Sequence, residues 1–312
     1  MKVLYHDDPD GQCSAFSIKH FLGTKSVPDD SGEHGLEFLN VDHGSFDCDA
    51  WLSSVKNGEI VWIVDFAIEP DKMEELLEKT PNVTWIDHHK TSMDDYKNFS
   101  KDIKGIRWTK YAACVLTYMY IYCNNKGDVS EKALEACKVP RFIELLGDRD
   151  AWTWAFGEET ALFMNGSCCY DRDPAGEFWE NLMKGDGETG FIKEVMRKGK
   201  TVTQFKQRFF EDARRNVGYE TEFAGHKCAV VNMPNTGSEA LGGEGAEYGE
   251  LRPGYDVLIR VEYNGEEFSV SLYSKKVDVS VICKEHGGGG HPGASGFSCD
   301  KLPFDKTGDL EE

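Results

Sequence analysis

Three apolar runs in the first ninety residues end in acidic or imidazole side chains. KVLY runs into HDDPDG, EIVWIVD stops at Asp65, and VTWID stops at Asp87 with His88 and His89 behind it. With LEFLNV they make four short strand-like runs, with helical stretches between them (Cys13 to Phe21, Asp71 to Glu78) and after the last (Ala112 to Cys123). Strands separated by helices predict a parallel sheet covered by helices on both faces. Such sheets bind ligands at the carboxyl ends of their strands, where these acidic groups fall. A further helix, about Ser130 to Leu146, leads into GDRDAW, which adds Asp148 and Asp150.

Crowded carboxylates repel one another and lose hydration, which is tolerable when a divalent cation neutralises them. Four clusters repeat this chemistry: His6/Asp8/Asp10, Asp65, Asp87/His88/His89 and Asp148/Asp150. Pro9 and Gly11 bend the first so that its side chains can converge. The donors exceed what one ion needs, so two ions sharing a bridging carboxylate are the economical arrangement. Mixed His and Asp ligands suit manganese better than calcium, with magnesium or cobalt as alternatives. Paired ions of this kind serve phosphoryl transfer.

A chain of 312 residues exceeds one comfortable core and reads as two domains. The formal charge of -20 disfavours long nucleic acid, whose binding rests on counterion release by Lys and Arg, but leaves room for short anionic ligands. Ten cysteines without a CxxC pair, and no leader-like start, read as reduced thiols of a cytoplasmic protein. No run of 18 apolar residues predicts a membrane span. Phe191 to Val217 reads as one or two helices with eight Lys/Arg against three Asp/Glu, a connecting element with a solvated face. Beyond it, KCAVVNM, YDVLIRVEY and EEFSVSLYS are strand-like, with Asn264-Gly265 as a hairpin turn. A short helix, VSVICKEH, then precedes GGGGHPGASGF. The expected division is 1–195, a helical linker 196–218, and a smaller α/β domain 219–312.

HDDPDG, the aspartate of WIVDFAI, IDHHKT and LLGDRDAW resemble, in order, the four motifs of DHH-superfamily phosphoesterases. GGGGHPGASGF resembles the glycine-rich signature of their accessory C-terminal domain, so the resemblance spans His6 to Phe297. It implies that His6 and Asp8 hold one metal, Asp10, His88 and Asp148 the other, and that Asp65 bridges them. Asp87 would orient the ligand histidine, and His89 would face substrate. Asp7 reads as exposed, Asp150 as a supporting group or a competitor of Asp148, and Asp42 with His43 as a polar loop. Consecutive glycines let backbone amides approach an anion, aided by a following helix start. In the family, the run Gly288, Gly289, Gly290 and the histidine matching His291 grip the substrate end far from the cut, across a cleft. Many relatives carry Arg-Ser before this loop, where this chain has Tyr273-Ser274, with Lys275 or Arg260 as compensating cations.

The resemblance implies a manganese-dependent, two-metal phosphodiesterase that trims short oligonucleotides or dinucleotides to mononucleotides, like nanoRNase-type members, with a homodimer as the assembly by analogy. A nucleoside 3',5'-bisphosphate phosphatase and a cyclic or linear dinucleotide phosphodiesterase are the alternatives within the same chemistry. A catalytically silent nucleotide-binding regulator is the alternative outside it. Of eight aromatics between Trp152 and Phe191, some could stack on bases, but most read as core.

Overall fold

The computed structural model describes residues 1–24, 35–42, 46–122, 132, 136–185, 190–234 and 254–310. It divides into two compact units. Unit 1 comprises Met1–Ala151 and Tyr170–Lys193, and unit 2 comprises Trp152–Cys169 and Glu194–Glu312. The fold is α/β in both. His43, part of the expected polar loop, and Cys123, the expected end of a helix, lie outside the described residues.

In unit 1, β1 (Lys2–His6), β2 (Glu37–Val41), β3 (Val61–Val64) and β4 (Val83–Ile86) form a wholly parallel sheet in the order β2-β1-β3-β4. The order reverses direction at β1, which gives a switch point between β1 and β3. Alternate residues of each strand face opposite sides. Leu4, Ile63 and Trp85 join one core with Trp51, Leu52, Met73 and Leu76 of α2 (Cys48–Ser54) and α3 (Pro70–Lys79). Val3, Tyr5, Val64 and Ile86 join the other, with Ala15 and Ile18 of α1 (Pro9–Thr24) and Leu116 of α5 (Ala113–Tyr122). Both faces are therefore dry, as parallel sheets require. Helices α4 (Lys90–Asp95), α6 (Arg141–Asp150) and α8 (Glu177–Lys184) also belong to this unit.

HDDPDG is a helix start. Pro9 opens α1, Asp8 Oδ1 accepts the Gly11 amide at 2.9 Å, and the Asp8 carbonyl accepts that of Gln12. Gly11 is required because a Cβ there would meet the His6 carbonyl oxygen at 2.2 Å.

Unit 2 contains α7 (Glu158–Ser167), the 27-residue α9 (Phe191–Val217, entering from unit 1) and α10 (Val279–Glu285). Its six-stranded mixed sheet holds β5 (Gly218–Phe223), β6 (His226–Asn232), β7 (Val257–Tyr263), β8 (Phe268–Tyr273), β9 (Gly289–His291) and β10 (Ala294–Cys299), in the order β5-β6-β7-β8-β10-β9. Asn264 and Gly265 turn β7 into β8 as expected; the Asn264 side chain accepts the amides of Glu266 and Glu267, and Gly265 has φ +104. Among the described residues no helix is long and apolar enough to cross a membrane. Eight described cysteines are free. Cys137 is disulfide-bonded, which corrects the all-thiol expectation: pairing depends on spatial approach, not on CxxC spacing.

Gly11→Ala should lower stability by about 1–3 kcal/mol, because the new methyl group must displace the backbone of His6. Urea denaturation of the variant against wild type measures it.

Candidate metal centre

Parallel register sets the site. Tyr5 lies beside Val64 and Val64 beside Ile86, so the next residues, His6, Asp65 and Asp87, emerge level at one edge of the sheet. This is the carboxyl edge at the switch point. Asp65 is the hinge of the arrangement: it is buried, its amide donates to the Ile86 carbonyl, and its φ of +56 is a left-handed conformation that costs a non-glycine residue energy.

Its two oxygens face different partners. Asp65 Oδ2 lies 3.6 Å from His6 Nδ1, and Asp65 Oδ1 lies 3.2 Å from His88 Nε2. Around the first side His6, Asp8 and Asp65 converge, with His6 Nδ1 3.2 Å from Asp8 Oδ2. Around the second, His88 Nε2 approaches Asp10 Oδ2 at 3.3 Å and Asp150 Oδ2 at 3.1 Å. Asp65, Asp87 and His89 form a third group.

The charges are out of balance. Burial pushes the Asp10 carboxyl well above its ordinary pKa, reinforced by Asp65 and Asp150; burial and Asp8 push Asp65 up as well. Burial works against a charged His6, yet Asp8 and Asp65 raise its pKa to about 12. Burial likewise opposes charge on His88, but Asp150 and Asp65 hold its pKa well up. Neither Asp65 oxygen accepts a hydrogen bond of good geometry, although the residue is 1% exposed. An over-supply of buried oxygen acceptors beside imidazole nitrogens fits divalent cations.

Asp10 has a second attachment. Its oxygens accept the amides of Ala113 and Cys114, at 2.8 and 2.7 Å, so the first turn of α5 donates to it and the helix dipole favours its charge.

Two of the expected site residues have neighbours other than those expected. Helix α6 runs through Asp150 and does not end near Leu146. At about 100° per residue, positions two apart lie on nearly opposite sides of a helix. Asp150 therefore reaches His88, and Asp148, buried on the same helix, joins none of the metal-capable groups among the described residues. Asp87 orients the other histidine: its Oδ1 pairs with His89 Nδ1 at 2.8 Å and accepts the backbone amide of His88 at 2.7 Å. Burial would raise the Asp87 pKa, but His89 holds it down to about 2. Asp7 is exposed, and so is Asp42.

In unit 2 the glycine run divides in two. The amides of Gly287 and Gly288 donate to Lys284 and Cys283, closing the C-terminus of α10, with Gly287 at φ +80. Gly289, Gly290 and His291 then form the edge strand β9, so a β-hairpin follows the run where a helix start was expected. Gly288 is demanded by packing, since its Cβ would meet the Gly296 carbonyl oxygen at 2.0 Å. The Ser274 hydroxyl donates to the Asp256 carbonyl and accepts the amides of Lys276 and Val277, which makes it a turn anchor. Arg260 is buried and donates to Glu262 and Ser271, whereas Lys275 is exposed.

No family model matches the chain. The uncharacterized protein R106 of Acanthamoeba polyphaga mimivirus is 24% identical over 332 residues, covering 98% of this chain and 70% of the viral protein. The DHH domain of PF0399, described as a member of the s1p family of ribosomal proteins, is 13% identical, with 95% of this chain and 81% of that one covered and a TM-score of 0.46. The pGpG-specific phosphodiesterase PggH from Vibrio cholerae is 11% identical, with 96% and 93% covered and a TM-score of 0.43.

Asp10→Ala should leave two amides of α5 without their acceptor, at a cost of about 1–2 kcal/mol, and fray its first turn. Hydrogen exchange at Ala113 and Cys114 should accelerate, while exchange in β3 holds near wild type.

Proposed function

We propose that this chain is a metal-dependent phosphoesterase of the DHH type that hydrolyses phosphodiester bonds in short oligonucleotides or dinucleotides. The observation that supports it most is Asp65, a strained, buried carboxylate whose two oxygens face separate His/Asp groups at 3.2 and 3.6 Å. One ion would be held by His6, Asp8 and Asp65, and the other by Asp10, His88, Asp150 and Asp65. When bound, such ions polarise the phosphoryl group and activate water near neutral pH, and manganese suits the donors.

The protein's own contribution follows from its hydrogen bonds. Asp87 stays ionised and fixes the His89 ring through Nδ1, and in this reading the ring so oriented faces substrate. Burial disfavours the imidazolium of His89, but Asp87 raises its pKa. A protonated His89 would serve as the acid for the departing sugar oxygen. Unit 2 supplies the substrate grip in this reading, with Gly289, Gly290 and His291 at the sheet edge and Lys275 as an exposed cation.

The substrate is tested by incubating the full chain with manganese and a panel: a dinucleotide, a nucleoside 3',5'-bisphosphate and a cyclic dinucleotide, with products identified. Mononucleotide from the linear dinucleotide is expected; inorganic phosphate from the bisphosphate alone would overturn the phosphodiesterase reading. Asp150→Ala should weaken manganese binding at one site about 10- to 100-fold by calorimetry, and Asp148→Ala should do so less. The reverse order would return the ligand role to Asp148.

A further inference from the structure

Unit 2 carries an aromatic group that the metal centre does not use. Trp152 and Trp154 both have positive φ, 57 and 52. Bulky residues rarely adopt that conformation, and such strain gathers at binding sites where the surroundings enforce it. Trp152 stacks on Tyr273 with centroids 5.6 Å apart and planes 25° apart, and Trp154 meets Trp152 edge-on at 5.5 Å. The position beside them has no room for a side chain: a Cβ on Gly293 would lie 2.5 Å from Trp152 Cδ1. Next along the hairpin, Ala294 pairs with Tyr273, and Gly296 pairs with Ser271, so small residues border the stack on β10.

The indole N–H groups set this pair apart from packing residues. In unit 1, Trp85 Nε1 donates to the Phe66 carbonyl at 2.9 Å and Trp179 Nε1 to that of Arg172 at 2.7 Å. Trp152 Nε1 and Trp154 Nε1 are shielded from solvent and have no acceptor, although Trp154 is 6% exposed and Trp152 half-buried. A buried donor without a partner is costly, and an indole can only donate. A flat molecule with acceptor atoms on its edge would suit both donors.

We propose that Trp152, Trp154 and Tyr273 form a nucleobase-recognition platform, stacking a purine or pyrimidine and offering indole N–H groups to its ring nitrogens or carbonyl oxygens. This rests on the phosphodiesterase reading for the identity of the ligand and adds what that reading lacks, a determinant for the base. Tyr273 stands where relatives of the resembled family have a cation, so recognition here shifts from phosphate charge to the base plane.

The test is calorimetry on the full chain in EDTA, with adenosine and guanosine monophosphates against ribose 5-phosphate. At least tenfold tighter binding of a nucleoside monophosphate is expected, since base stacking on an aromatic side chain is worth roughly tenfold or more. Tyr273→Ala should shrink that preference several-fold, and Trp152→Phe, which keeps a ring but loses the N–H, should shrink it less; ribose 5-phosphate binding should hold in both. Equal wild-type affinity for the nucleotides and ribose 5-phosphate, no binding of either, or variants that keep the full preference would each overturn the platform. Turnover of a dinucleotide without base preference removes this inference alone. Base preference without turnover removes the phosphodiesterase reading and leaves a nucleotide-binding unit.

Discussion

The constraint on which unit 1 depends is the mutual repulsion of Asp8, Asp10, Asp65, Asp87 and Asp150 at one edge of a parallel sheet. All but Asp65 are held in place by something that favours or tolerates the charge. Asp8 caps α1, Asp10 receives the first amides of α5, and Asp87 is locked to His89. Asp150 sits on the last turn of a helix, where the dipole opposes a negative charge, and His88 at 3.1 Å and Arg149 at 3.5 Å offset this. Asp65 has no comparable hydrogen bond and a strained backbone. The group therefore reads as assembled for an external positive charge.

The rest of the unit serves that edge. Two dry faces fix the strands in register, and Gly11 lets the start of α1 approach the end of β1 closely enough for His6, Asp8 and Asp10 to share one corner. Gly147 plays a similar part for α6, since a Cβ there would meet Val115 Cγ2 of α5 at 2.7 Å. Close helix packing is what brings Asp150 to its histidine.

Unit 2 uses glycine differently. Its run of four closes a helix and then forms an edge strand, with two internal amides already spent on the helix end. The same turn leaves space at Gly293 for the ring of Trp152. Backbone economy at one end of the hairpin and an aromatic stack at the other are parts of one local design.

The alternation of strands and helices, the two-sided core and the acidic strand ends were legible in the sequence, because they depend on local periodicity and on which residue types water rejects. The clusters His6/Asp8/Asp10, Asp65, Asp87/His88/His89 and Asp148/Asp150 could be picked out for the same reason, since few other arrangements justify so much charge beside apolar runs; which of them act as ligands came only from the resemblance to DHH-superfamily phosphoesterases. That Asp150 lies beside His88 was decided only in three dimensions, where the helix extends past Leu146 and turns alternate residues to opposite sides. So were the partner of Asp87, the double use of the glycine run, and the unpartnered indoles of Trp152 and Trp154. Each depends on a hydrogen bond or a dihedral angle between positions whose spacing along the chain carries no trace of it.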